Sequence, residues 1–260
     1  MNHVLLQVGP TPPTAEQLKV AFRGVPRLTA VDAEKIARQA YGILVRGLSV
    51  EELTIVQRTL SGQGVTTTVL PEAEAPPLPE PKYTKRLELQ NEALLVYDAI
   101  GRPVPVPWAH VAAFAAGIVP RVNIVSFKTE EIEISFDVDG WVRRDVVNRL
   151  AHKLNTDSQL VFDIVMTGGR LRFQVESREF QWKYAVDRPD LDTHQRLAEL
   201  VRLLMPRAPH ALLNRGATQL KNGAPLPLAY SSKAAFADES VWMLWQAAHS
   251  PPPLPVTKAA

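Results

Sequence analysis

Residues 43–69, ILVRGLSVEELTIVQRTLSGQGVTTTV, decide the fold of the N-terminal part of the chain. Ile43-Leu44-Val45 is a short run rich in β-branched residues, as a strand requires. Ser49 followed three places later by Glu52 is a capping box, in which the hydroxyl accepts one free backbone N–H and the carboxylate accepts another. Leu53, Val56 and Leu60 then recur at helical spacing, and Gly62 and Gly64 supply a left-handed exit before the strand Val65, Thr67, Val69.

Working outward toward the N-terminus, the same grammar repeats. Thr29 with Asp32 opens a helix whose stripe is Ala33, Ile36, Ala37 and Ala40, small enough for close packing. Thr14 with Gln17 opens another, with Leu18, Ala21, Phe22 and Val25 on one face and Pro26 as its stop. Val4, Leu6 and Val8 alternate with Leu5 and Gln7 as a first strand, which the run Gly9-Pro10-Thr11-Pro12-Pro13 ends. Residues 1–70 thus spell a β-α-α-β-α-β module of an α+β fold.

Certain residues of this module resemble a known family. Ala21-Phe22-Arg23-Gly24 and Leu28 ahead of Asp32-Ala33, then Gly47-Leu48-Ser49 and Gly64, are similar to the C-terminal domain of the bacterial ribosomal stalk protein, whose fold is shared by the adaptor of Clp proteases. In the stalk family this helical region is lysine-rich and docks translation GTPases. The resemblance therefore implies a protein-docking surface in a bacterial protein, with Arg23 as the one inherited contact, and the nearby cations Lys19 and Arg27 join it as candidate partner-binding residues. Val20 and Glu34 stand where the family has lysines, and Arg27 and Thr29 where it has glycines. His3 is the one histidine of the module, so the acidic and histidine grip of the Clp adaptor has no counterpart.

Beyond the module, residues 71–81 contain five prolines, three glutamates and no cation, a composition that favours an extended polyproline spacer and a domain boundary. A larger antiparallel β-rich domain with a helix is expected over 82–206. Leu87, Leu89, Leu94 and Val96 mark two strands, Val104–Trp108 is extended, and Val122, Ile124 and Ser126 continue the sheet. Ile132, Ile134, Phe136 and Val138 alternate with polar residues up to an Asp139-Gly140 turn. Val146, Val147, Leu150 and Leu154 predict a helix over that stretch, with Arg149, His152 and Lys153 on its other face. Leu160, Phe162, Ile164 and Met166, a Gly168-Gly169 turn, and Leu171, Phe173 and Val175 make a hairpin. Phe180, Trp182, Tyr184 and Val186 predict one more strand, and a helix from about Asp190 to Met205 closes the domain.

In element order alone, this arrangement looks like a pleckstrin-homology or GRAM barrel, and a two-layer α+β sandwich fits the same order. Asn214-Arg215-Gly216 and Asn222-Gly223 read as turns in a C-terminal extension, 207–249, whose stretch Val241–Trp245 is expected to pack on the second domain. Residues 250–260, with Pro252-Pro253-Leu254-Pro255, read as a flexible tail.

Composition narrows the function classes. The chain has 260 residues, net charge +2 and no cysteine, which excludes disulfides and thiolate chemistry and suits a reducing cytoplasm. The longest apolar run, Val111–Val119, is far short of the roughly 20 residues that span a bilayer, and there is no leader pattern. Nothing in the charge compels a nucleic-acid partner. Asp137-Val138-Asp139-Gly140 lacks the further oxygen ligands of a calcium loop. His110, His152, His194, His210 and His249 show no metal spacing, and Ser61-Gly62-Gln63-Gly64 ends a helix instead of opening one on a phosphate. No catalytic residue, metal ligand or cofactor is therefore expected. Trp141 with Arg143, Arg144, Arg149, His152 and Lys153 is the strongest basic patch and a second candidate partner-binding set. The expected function is a non-enzymatic adaptor that binds a protein or peptide. The alternative is an enzyme whose acid and base residues, such as Asp163, Asp187 or His194, converge only in the fold.

Overall fold

The computed structural model describes residues 2–9, 11–136 and 142–249, with the backbone alone from 122 to 155. The Asp139-Gly140 turn, Asp137, Trp141 and the tail 250–260 lie outside these residues. The chain is α+β. Packing divides it into two compact units: the described residues up to Val119 together with those from Leu160 onward, and residues Pro120–Gln159.

The N-terminal elements follow the order expected from sequence: β1 (His3–Gln7), α1 (Ala15–Phe22), α2 (Ala30–Gln39), β2 (Ile43–Leu48), α3 (Val50–Gly62) and β3 (Thr67–Pro71). All three capping boxes close. The Thr14 hydroxyl accepts from the Gln17 N–H at 3.2 Å while the Gln17 side chain accepts from the Thr14 N–H at 2.8 Å. The corresponding pairs are 3.1 and 3.4 Å for Thr29 and Asp32, and 3.2 and 2.7 Å for Ser49 and Glu52. Gly62 stays helical, and Gly64, with φ +77°, alone makes the left-handed turn.

The sheet order is β2-β1-β3, with β1 central and antiparallel to both neighbours. Leu5 of β1 packs with Leu18, Phe22, Leu53 and Leu60 of the helices, each fully buried and each worth about 1.5–3 kcal/mol of apolar transfer. Val4 and Leu6 point the other way and are equally buried, against Val241, Trp242 and Met243. This explains why β1 reads as a nearly continuous apolar run: both faces of the strand are covered.

The cover on that second face is α6 (Lys233–His249). Three consecutive residues, Val241, Trp242 and Met243, are buried on it, and consecutive helical positions lie 100° apart, so α6 is enclosed on most sides. The same cluster takes in Ala113 and Val165 of a second sheet. The extension therefore packs on the N-terminal sheet as well as on the larger one. Ala75 and Leu78 of the proline-rich segment join this cluster, and a Cβ at Gly169 would lie 2.5 Å from the Pro77 carbonyl oxygen. The segment expected as a spacer is thus laid along the core.

The second sheet has the order β11-β8-β9-β10-β4, formed by Leu212–Leu213, Val111–Phe136, Val142–Met166, Arg172–Glu176 and Lys82–Thr84. It is mixed, because β4 runs parallel to β10 and β11 parallel to β8. A three-stranded antiparallel sheet, β5 (Leu87–Leu89), β6 (Ala93–Tyr97) and β7 (Pro103–Pro107), shares one core with it and with α4 (Thr193–Leu204). Phe114 stacks on Phe162 there, 5.8 Å between ring centroids, above Leu197, Leu200 and Leu204. No helix among the described residues is long and apolar enough to cross a membrane.

Several sequence expectations need correction. Residues 146–154 form part of strand β9 and not a helix. The four-residue spacing of Val146, Leu150 and Leu154 is also an even number, so it satisfies a period of two, and pairing with β8 selects the strand. Phe180–Val186 is not a strand either: Trp182–Tyr184 is a 3-10 turn, closed by the Ala185 N–H on the Trp182 carbonyl at 3.0 Å. Phe180, Trp182 and Val186 are still buried, but Tyr184, the fourth residue of the alternating set, is exposed, because the 3-10 turn swings it off the core face. Asn214 caps a short helix, α5 (Arg215–Lys221), where a turn was expected, while Asp192 caps α4.

Candidate functional site

The expected partner-binding residues of the N-terminal module divide in two. Lys19 is held by Glu16 at 2.9 Å and Glu34 at 3.5 Å, chiefly the hydrogen bond to Glu16 raising its pKa. Arg27 is held by Glu52 at 2.9 Å and donates to the Gly47 carbonyl. These two cations are engaged within the module. Arg23, at the C-cap of α1, is exposed and makes no ion pair among the described residues.

Around Arg23 lies a set of residues outside the core stripes. Val20, on α1, is 45% exposed, and Ile55, on α3, is 40% exposed. Gly24, one turn after Val20, brings the two helices together, since a Cβ there would lie 2.9 Å from Ile55 Cγ2. Arg58, one turn after Ile55, is exposed and makes no ion pair among the described residues. The α1–α3 face thus joins two exposed β-branched side chains to two open guanidinium groups. Sequence reading missed Val20, Ile55 and Arg58. The usable signal was an apolar residue off the buried stripe of its own helix.

The second candidate set loses its helical basis. Arg143, Arg144, Arg149 and Lys153 lie on β9, and Trp141 lies outside the described residues, so no helix face gathers them. The three scattered acid and base candidates also stay apart in role. Asp163 is fully buried and accepts from Arg172 Nε and Gln174 Nε2, both at 2.6 Å. Burial pushes its carboxyl up from the ordinary range, against the pull of the Arg172 charge and the Gln174 amide. Asp187 is exposed in a loop, and His194 sits in the first turn of α4 with Nδ1 buried and unpartnered.

A different group of polar residues does converge. Asn214 Oδ1 accepts the N–H groups of Ala116 and Ala217 at 2.9 and 2.8 Å, and its Nδ2 donates to the Ala116 carbonyl at 3.0 Å and the Tyr230 hydroxyl at 2.9 Å. The Tyr230 hydroxyl donates to Glu239 Oε2 at 2.9 Å, and burial, reinforced by the Glu239 charge, pushes its pKa far upward. Glu239, on α6 with its side chain 2% exposed, also takes the Arg215 backbone N–H at 2.7 Å and Arg215 Nε and Nη2 at 3.0 and 2.9 Å. Arg215 is stacked over Tyr41, 3.4 Å from the ring centroid.

This network ties β8, α5 and α6 together and floors a cleft of 480 Å³ walled by Leu212, Leu213, Trp242 and Met243. No group of three or more histidine, aspartate or glutamate side chains with metal-binding geometry occurs among the described residues. Set beside protein-family models, curated proteins and solved structures, the chain matches none of them.

Proposed function

We propose that this protein is a non-enzymatic adaptor whose N-terminal module docks a protein segment carrying carboxylates beside an apolar anchor. One observation carries the reading: Val20 and Ile55 are exposed on α1 and α3, which meet closely at Gly24, and the same two segments carry the open guanidinium groups of Arg23 and Arg58. Exposed apolar groups rimmed by charge are the anatomy of a docking face, and arginine suits it because its planar fork pairs with carboxylates. Lys19 and Arg27, spent on internal pairs, shape the face and leave recognition to Arg23 and Arg58. The similarity to the stalk-protein domain supports the same assignment, and zero cysteines suit a cytoplasmic setting.

The full chain, with a photo-crosslinking residue replacing Val20, tests this in lysate at low salt. The expected result is a discrete crosslinked partner that is lost in the Ile55→Asp and Arg23→Glu backgrounds and absent when the crosslinker replaces Val104 instead. No crosslinked species from Val20, or one indifferent to both substitutions, refutes the adaptor reading.

A further inference from the structure

The cleft above the Asn214–Tyr230–Glu239 network has a property that tying helices together does not require. Arg215 carries five N–H donors, and two of them, on Nε and Nη2, are given to Glu239 Oε2. Of the three remaining donors, one on Nη1 and one on Nη2 form the end-on edge of the guanidinium, and neither meets an acceptor among the described residues. The group is held in place from two sides, by Glu239 and by the Tyr41 ring, yet its side chain is 38% exposed at the cleft. A guanidinium fixed in this way is ready to meet a carboxylate in a two-bond geometry at little entropic cost.

The other lining residues set the rest of the ligand. Leu212, Leu213, Trp242 and Met243 offer apolar walls, and the volume of 480 Å³ falls in the range of small-molecule sites. Glu239 cannot recruit a cation: its side chain is nearly sealed, and its oxygens already accept four donors, three from Arg215 and one from Tyr230. The polarity presented to the cleft is therefore that of a donor.

We propose that this cleft is a binding site for a small planar apolar molecule bearing a carboxylate, with Arg215 receiving the carboxylate and Trp242 and Met243 contacting the body. The proposal is independent of the adaptor reading, which concerns α1 and α3.

NMR of the full chain, observing the Met243 methyl and the Trp242 indole N–H, tests it with three probes of one shape: 2-naphthoate, 2-naphthylmethanol and a naphthyl trimethylammonium. Naphthoate is expected to shift both signals and to bind about tenfold or more tightly than the alcohol or the cation, the discrimination of a charge-assisted pair. Arg215→Gln is expected to abolish that preference. Because that substitution also removes bonds to Glu239, Thr218→Trp serves as a second variant: it fills the cleft from its exposed rim and is expected to eliminate the shifts while the thermal unfolding midpoint holds. Equal binding of all three probes, shifts that persist in Thr218→Trp, or no shift with naphthoate would each overturn the assignment.

Discussion

The indole N–H of Trp242 donates to the main-chain carbonyl of Gln7 at 2.8 Å, joining residues 235 positions apart. The bond lies in an apolar stretch of the seam where α6 covers the first sheet, whose edge also carries the Arg46–Asp238 ion pair at 2.8 Å, and Gly42 makes room for the ring: a Cβ there would sit 2.5 Å from Trp242 Cγ. Trp242→Phe keeps most of the apolar surface and strands a buried carbonyl. The expected cost is about 1–3 kcal/mol, read as a lowered urea midpoint with an unchanged slope. A variant as stable as the parent would show that water replaces the indole there.

The third capping box offers a local test. Ser49→Ala removes the acceptor for the Glu52 N–H and leaves the start of α3 with one more unsatisfied donor. A loss of about 1 kcal/mol is expected by chemical denaturation, and Ser49→Asp should recover most of it because aspartate caps as well as serine.

Gly216 on α5 lies so close to β8 that an added Cβ would meet the Ala116 carbonyl oxygen at 2.0 Å. Helix propensity alone would favour alanine at this position. Gly216→Ala is nonetheless expected to destabilise by about 1–3 kcal/mol or more, since α5 must move off the strand and the Asn214 bonds with it. Higher stability in calorimetry would contradict this close approach.

Arg188 grips Asp190 through two bonds, Nε to Oδ1 at 2.8 Å and Nη2 to Oδ2 at 2.7 Å. These hydrogen bonds lead the effects that push the Asp190 carboxyl down to about 2. A carboxyl whose folded pKa lies below its unfolded value of about 3.9 stabilises the fold above that value, and the contribution fades as pH falls from about 4 to 2. A carboxyl-detected NMR titration is expected to place its midpoint near 2. In Arg188→Gln the midpoint should move up toward the ordinary aspartate range. An unmoved midpoint would mean that Arg188 is not its cause.

What could be read in advance followed the range of the interactions involved. The capping boxes span three residues and a helical stripe spans about two turns, so the elements of residues 1–70, the Gly168-Gly169 turn and the helix after Asp192 were legible. Lys19 and Arg27 were plausible docking residues in sequence, and their engagement with Glu34 and Glu52 depended on how α1, α2 and α3 came together. The four-residue spacing of Val146, Leu150 and Leu154 is common to both periodicities, and only pairing with the neighbouring strand β8 could choose between them.

The sequence by itself determined the α+β class, the order of the N-terminal elements and where their helices start, because local hydrogen bonds and apolar periodicity act within a few residues. Tertiary structure alone decided that α6 lies over the first sheet, that the proline segment lines the core, and that Tyr41, Asn214, Arg215 and Glu239 meet at one cleft, with Tyr230 bonded to Asn214 and Glu239. Those outcomes depend on burying the second face of β1 and on pairing donors with acceptors between distant segments, and no local pattern encodes which segments will meet.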